Sequence, residues 1–251
     1  PDPARLSLLN LKGEMLRDLG QGAESIAAFE AALEIATNPV DHCRAQIGIV
    51  AAMRIMDRID DAYALLDEVQ QVAEKANLQG ELSEIHYFRG SLHFPRGDLN
   101  GCLLEHGQSL AFAESSGLHE RRALALSGLG DAHYARGRMF TAHDTIERCL
   151  DVCKEHGLIA VEAANRFMLA TVKIYMNDTA NALEEARASV QLAAGVGHTR
   201  AEIVSRLTAS WLLTSMDRND EASAEVASGL DLAVRLGARR FVPFLKETQA
   251  R

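Results

Sequence analysis

The chain has 251 residues, room for one large domain or two small ones, and its 47% hydrophobic and 24% charged residues are the balance of an ordinary globular protein. Aromatics at 5%, only 5 prolines and an alanine-rich apolar share favour helices over sheet. A formal charge of −9 would repel a phosphate backbone, and apolar runs such as Ile47 to Met53 fall far short of a membrane-spanning helix, so nucleic-acid and membrane partners are set aside.

Internal periodicity organises everything else. Gly97, Gly137, Asn177 and Asp217 stand forty residues apart. In the same register, five residues on, come Cys102, Ala142, Ala182 and Ala222, and later Leu110, Leu150, Val190 and Leu230, then Ala113, Cys153, Ala193 and Ala233. A last column holds Gly117, Gly157, Gly197 and Gly237. Towards the N-terminus, Asp57 opens a copy containing Ala62, Ala73 and Asn77, and Gly20 opens one with Ser25, Leu33 and Ala36.

Taken in chain order, this gives six repeats, at about 4–37, 41–77, 80–117, 120–157, 160–197 and 200–237, with a terminal helix at 238–251. Each repeat reads as two helices, since apolar residues recur at three- and four-residue spacing on both sides of its anchor. The column from Gly117 to Gly237 predicts left-handed C-caps, while Asp98, Asp178 and Asn219 lie near expected N-caps.

Small residues predict close helix contacts: Gly13, Val50, Gly90, Gly130, Ala170 and Ser210 on the first helices, and Ala32, Ser109, Cys149, Ser189 and Gly229 on the second. One hairpin alone cannot bury its apolar face, so stacking into an α-α superhelix is expected, all-α and a single repeat domain over 1–251. The terminal helix would expose Phe241 and Phe244 as a cap or as a patch for homo-oligomer formation. Four cysteines form no disulfide-scaffold pattern, and a reducing cytoplasm suits them. The chain begins at Pro1 without Met and reads as part of a longer protein.

Ser127 to Met139, SGLGDAHYARGRM, resembles the first helix and turn of a tetratricopeptide repeat, and the likeness recurs along the chain. The forty-residue period exceeds that family's usual length, which implies helices about a turn longer. The segments His86 to Asp98, Val161 to Met168, Gly195 to Glu202 and Leu236 to Phe241 resemble the C-terminal repeats of multidomain bacterial signalling proteins. In those, an adenylate or guanylate cyclase domain and an ATPase module precede the repeats, so the resemblance implies a regulatory, protein-binding segment with neither catalytic module.

Cys149, Cys153 and His156 share a helical face and could offer soft ligands to zinc, but the first two occupy columns of small core residues and a fourth ligand is lacking, so no metal is expected. Gly128 and Gly130 follow no strand and make no phosphate loop; no catalytic motif stands out, and neither enzymatic activity nor a cofactor is expected.

The third repeat breaks the pattern, with Arg89 in a leucine column and His106 where Phe29, Leu66 and Ile146 stand elsewhere. A satisfied internal hydrogen-bond network would explain them, and so would a polar hot spot.

The tetratricopeptide resemblance implies that one face of the first helices lines a concave groove. That face carries Glu84, Tyr87, Ser91 and Phe94, then Asp131 and Tyr134, then Arg166, Phe167 and Thr171, then Trp211. Aromatics mixed with polar groups suit recognition of a protein or peptide. Filling of the packing layer by Phe167 and Trp211 is the competing account. The expected function is a non-catalytic binding scaffold; the alternative is a solenoid that senses a small ligand and controls an attached cyclase, ATPase or transcription module.

Overall fold

The computed structural model describes residues 3–235 and 241–249. Among them all regular structure is helical: α1 (Pro3–Asp18), α2 (Gly22–Ile35), α3 (Pro39–Ile55), α4 (Ile59–Lys75), α5 (Gln79–His93), a 3-10 turn Phe94–Arg96, α6 (Leu99–Ser115), α7 (His119–Ala135), α8 (Met139–His156), α9 (Ile159–Tyr175), α10 (Thr179–Val196), α11 (Thr199–Ser215), α12 (Asn219–Arg235) and α13 (Val242–Gln249). The start of the terminal helix expected near Arg239, and the turn glycine Gly237, lie outside the described residues. The chain divides into two compact units, Pro1–Gly128 and Leu129–Arg251.

The periodic turn residues have a common conformation. All six anchors, Gly20, Asp57, Gly97, Gly137, Asn177 and Asp217, have φ between 58° and 78°, and so do Gly117, Gly157 and Gly197, with Asn77 at 54°. A side chain clashes with the backbone in this left-handed region, which admits glycine freely and Asn or Asp at modest cost. That constraint explains why only these three residue types fill the columns. The following amide then reaches back over the helix end, as Arg138 N does to His133 O at 2.9 Å and Asp178 N to Lys173 O at 2.9 Å, satisfying carbonyls that the helix leaves open.

The first repeat closes differently. Ala36 is extended, Pro39 opens α3, and the Asn38 side chain accepts from Asp41 N at 2.9 Å, so the shortened repeat is joined by an N-cap rather than a left-handed residue. Of the other expected caps, Asp98 accepts from Gly101 N at 2.9 Å. Asp178 stands at the N-cap of α10, but its carboxylate is taken by Asn181 Nδ2 at 2.9 Å. Asn219 is the first residue of α12 rather than its cap.

Where the first helix carries glycine, a bulky side chain of the second helix packs into the space. In the first unit, a Cβ on Gly13 would lie 2.7 Å from the Phe29 ring, and one on Gly48 would overlap the other side of that ring. His106 is held the same way, with a Cβ on Gly90 falling 2.7 Å from its imidazole and Gly128 closing the opposite side. In the second unit Gly130 faces Ile146, its would-be Cβ 2.6 Å from Ile146 Cγ1. Where the first-helix residue grows to Ala170 or Ser210, the second-helix partner in register is Ala186 or Val226. In the second repeat the pair is Val50 and Leu66, both buried, so the small-against-large pairing belongs to the glycine-bearing repeats.

Small hydroxyls also join the layers. Ser83 Oγ donates to Ser109 O at 2.9 Å and Ser109 Oγ returns the bond to Ser83 O at 2.8 Å; Ser25 Oγ donates to Gly13 O at 2.8 Å, and Ser189 Oγ to Ala163 O at 2.7 Å. Elements touch near neighbours in sequence. In the first unit α1 meets α3 and α3 meets α5, and in the second α9 meets α11, so the first helices of successive repeats form their own layer within each unit. Leu245 of α13 is buried against the cluster of Ile203, Val226, Leu232 and Ala233, with Phe241 partly buried beside it and Phe244 exposed.

Candidate functional site

The candidate residues of the first unit sit on α5 and the turn that follows it. Glu84 accepts from Arg121 Nη2 at 2.7 Å; burial pushes its carboxyl up, against the pull of that guanidinium. Tyr87 is half-buried, its ring edge-on to Phe88 at 5.4 Å and 5.6 Å from His106. Ser91 Oγ donates to Tyr87 O at 3.0 Å, within its own helix. Phe94, in the 3-10 turn, is exposed.

The two irregular polar residues behave differently from each other. Arg89 Nη2 donates to Asp67 Oδ1 at 2.5 Å, while its Nε is buried without a partner. His106 is buried with Nδ1 unpartnered, and burial lowers its pKa to about 4, so the imidazole is neutral near pH 7. The satisfied network expected for His106 is therefore not what the fold contains; the ring fills a slot that in the first repeat belongs to Phe29. A network does form nearby, where His86 Nδ1 lies 2.7 Å from Glu105 Oε2 and the His86 ring stacks on Phe112 at 5.4 Å.

In the second unit, Tyr134 packs against the cluster of Ala142, Ile146, Leu150, Leu169 and Val172, and its ring meets Tyr175 edge-on at 5.8 Å. Burial, then the contact with Tyr175, push its phenol up to about 12. Asp131, three residues earlier on α7, has Oδ1 buried without a hydrogen-bond partner; burial raises its pKa to about 6, countered by the charge of Arg200. Phe167 is half-buried and accepts through its carbonyl from Thr171 Oγ1 at 2.8 Å. Trp211 is 53% exposed, so it does not fill the packing layer.

Arg166 has a definite internal role. Its guanidinium donates to Glu162 Oε1 at 2.7 and 2.9 Å and to Glu185 Oε2 at 2.5 Å, and Lys173 Nζ adds a bond to Glu185 at 3.2 Å. One repeat later, Arg206 bonds Glu202 and, at 2.7 Å, Glu225 in the same pattern. Sequence reasoning missed these clamps, although the signal was available: a basic residue is followed nineteen positions later by a glutamate at His86, Arg166 and Arg206 alike. They tie the two helices of a hairpin together and occupy Arg166, Lys173 and Arg206.

The cysteines are core residues. Burial raises Cys43 and Cys102 to about 11, while Cys149 and Cys153 are buried on α8 and hydrogen-bonded to each other, which lowers the Cys153 thiol. Among the described residues no cluster of His, Cys, Asp and Glu has metal-site geometry, and no helix is long and apolar enough to cross a membrane.

No family model matches the chain, and no curated protein matches its sequence. Solved structures do. The signal transduction ATPase with numerous domains from Pyrococcus horikoshii, which carries a tetratricopeptide repeat sensor, superposes with a TM-score of 0.70 at 15% identity, over 98% of this chain and 40% of that one. The chain has a tetratricopeptide-like repeat fold. This repeat array is also similar to apo RapI, with a TM-score of 0.69 and 12% identity over 97% of this chain and 69% of that one. NprR in complex with its cognate peptide NprX gives a TM-score of 0.69 and 12% identity, over 96% and 71% of the two chains. At these identities the likeness establishes the fold of the tetratricopeptide-like array and leaves its ligand to be argued from its own residues.

Proposed function

We propose that this tetratricopeptide-like array is a non-catalytic scaffold that binds a protein segment or peptide on the first-helix faces of its units, as a regulatory part of a larger cytoplasmic signalling protein. The observation that carries the reading is the chemistry of those faces. Aromatic side chains that the fold does not need for its interior, Phe94 at 45% and Trp211 at 53% exposure, stand among polar groups, while the neighbouring charges of Glu84 and Arg166 are held by internal partners. Exposed aromatics on a rigid helical frame are effective anchors, because little side-chain entropy is lost when they are covered. The peptide complex of NprR, and the sensor role of the repeats in the archaeal ATPase, are uses of the same fold that support this reading.

The test is selection of peptides from a random display library on the folded protein. Peptides are expected to be enriched, to alter the emission of Trp211, the single tryptophan, and to bind roughly tenfold or more weakly to Phe94→Ala or Trp211→Ala variants. Equal binding to both variants, each with unchanged circular dichroism, would move the site off these faces.

A further inference from the structure

The carboxylate of Asp131 stands out among the acids of the described residues. Among the described residues it supplies the one buried carboxylate oxygen that has no hydrogen-bond partner. Acids nearby in the second unit are answered: Glu162 and Glu185 by Arg166, Glu185 also by Lys173, Glu202 and Glu225 by Arg206, and Glu221 by Arg187 and Arg218. Asp131 is met by no contact of that kind; the exposed Arg200 acts on it only through space. An acid kept at such cost is expected to have an external partner, since a carboxylate removed from water without a donor is unfavourable.

Its surroundings indicate what that partner is. One helical turn along the same face stands Tyr134, with Tyr175 of α9 edge-on at 5.8 Å and itself 62% exposed. A carboxylate one helical turn from a pair of tyrosines can receive an ammonium or guanidinium group, through a charge-assisted hydrogen bond to the acid and cation–π attraction to a ring. Arg166, Lys173 and Arg206 are committed to internal glutamates and offer an anionic ligand no free donor. The chain's net charge of −9 adds a general attraction for a cationic ligand.

We propose that Asp131, with Tyr134 one turn along α7 and Tyr175 against that ring, is the specificity subsite of the second unit and receives a cationic group of the bound peptide. This rests on the peptide-binding reading above and adds to it the charge of the residue selected. The residue as a whole is partly exposed although Oδ1 is enclosed, and its pKa near 6 leaves the carboxyl mostly ionised at neutral pH.

The experiment uses random-peptide display on the full chain and on Asp131→Asn, with Asp131→Ser as a second variant should the first fold poorly. Peptides enriched on the wild type are expected to share a lysine, an arginine or a free terminal amine. Each is then resynthesised with norleucine in place of the basic residue, or with its terminus acetylated, which distinguishes the two sources of the cation. Removal of the cation and removal of the acid should each weaken binding roughly tenfold or more, and the two losses together should not add. Peptides that bind Asp131→Asn as tightly as the wild type, or whose cations are dispensable, would overturn the subsite while leaving peptide binding intact. Failure to enrich any peptide on either protein would overturn the peptide-binding reading, and the subsite with it.

Discussion

Replacement of His106 by phenylalanine should stabilise the first unit, and increasingly so as the pH falls. The slot that holds His106 between Gly90 and Gly128 is the counterpart of the slot that holds Phe29 between Gly13 and Gly48, so a six-membered ring has a precedent at this register. The substitution removes a buried, unpartnered Nδ1, which costs the native state about 1–3 kcal/mol. Crowding from the larger ring offsets part of this, leaving a net gain of about 1–2 kcal/mol at pH 7.

The pH dependence has a fixed sign. The native pKa of His106 is lowered to about 4 from 6.5. Between those values the unfolded chain binds a proton that the native state refuses, so wild-type stability falls with pH through this group. At up to 1.36 kcal/mol per unit, the gap between variant and wild type should widen by about 2 kcal/mol from pH 7 to pH 5. Urea titrations followed by far-ultraviolet circular dichroism, with hydrogen exchange read on α5 and α6, measure it. Fluorescence of the sole tryptophan, Trp211, reports the second unit and serves as an internal control. A variant less stable than wild type at both pH values, or a gap that does not change with pH, would refute the assignment of His106 as an unpaired, neutral core group.

Other outcomes are expected from the same contacts. Gly130→Leu should lose about 3 kcal/mol or more in thermal or urea denaturation, because its side chain would enter the space of Ile146, and Ile146→Ala in the same chain should restore part of the loss. Asp131→Asn should raise the stability of the second unit by about 1–3 kcal/mol at pH 7: the native carboxyl, with a pKa of about 6, binds a proton that the unfolded one releases above 3.8, so the advantage should vanish as the pH falls towards 4. Trp211 fluorescence during urea unfolding checks this. Arg166→Met should cost about 2 kcal/mol by leaving Glu162 without a cation and Glu185 with Lys173 alone, and Glu162→Gln in the same chain should recover part of it. Asp98→Ala should remove the cap on Gly101 and cost about 1 kcal/mol, seen as faster hydrogen exchange in the first turn of α6.

The sequence alone determined the repeat and its turns. A left-handed backbone admits so few residue types that Gly, Asn and Asp recur at fixed spacing, and the helical period between them follows from the apolar pattern; both are local properties of the chain. The glycine slots were half visible: Gly13, Gly90 and Gly130 marked close contacts, but that Gly48 closes the slot of Phe29 and Gly128 that of His106 from the next helix depends on which faces meet. For the candidate face, the register picked out Tyr87, Tyr134 and Trp211 without telling how much of each is covered, since exposure depends on neighbouring repeats rather than on periodicity. Charges were the least legible. Arg166 and Asp131 look alike on the linear face, yet the first is held by Glu162 and Glu185, and the second is left without a donor. That difference arises because an ion pair needs two side chains to converge within a few ångströms from separate helices, and only the tertiary packing decides which of them do.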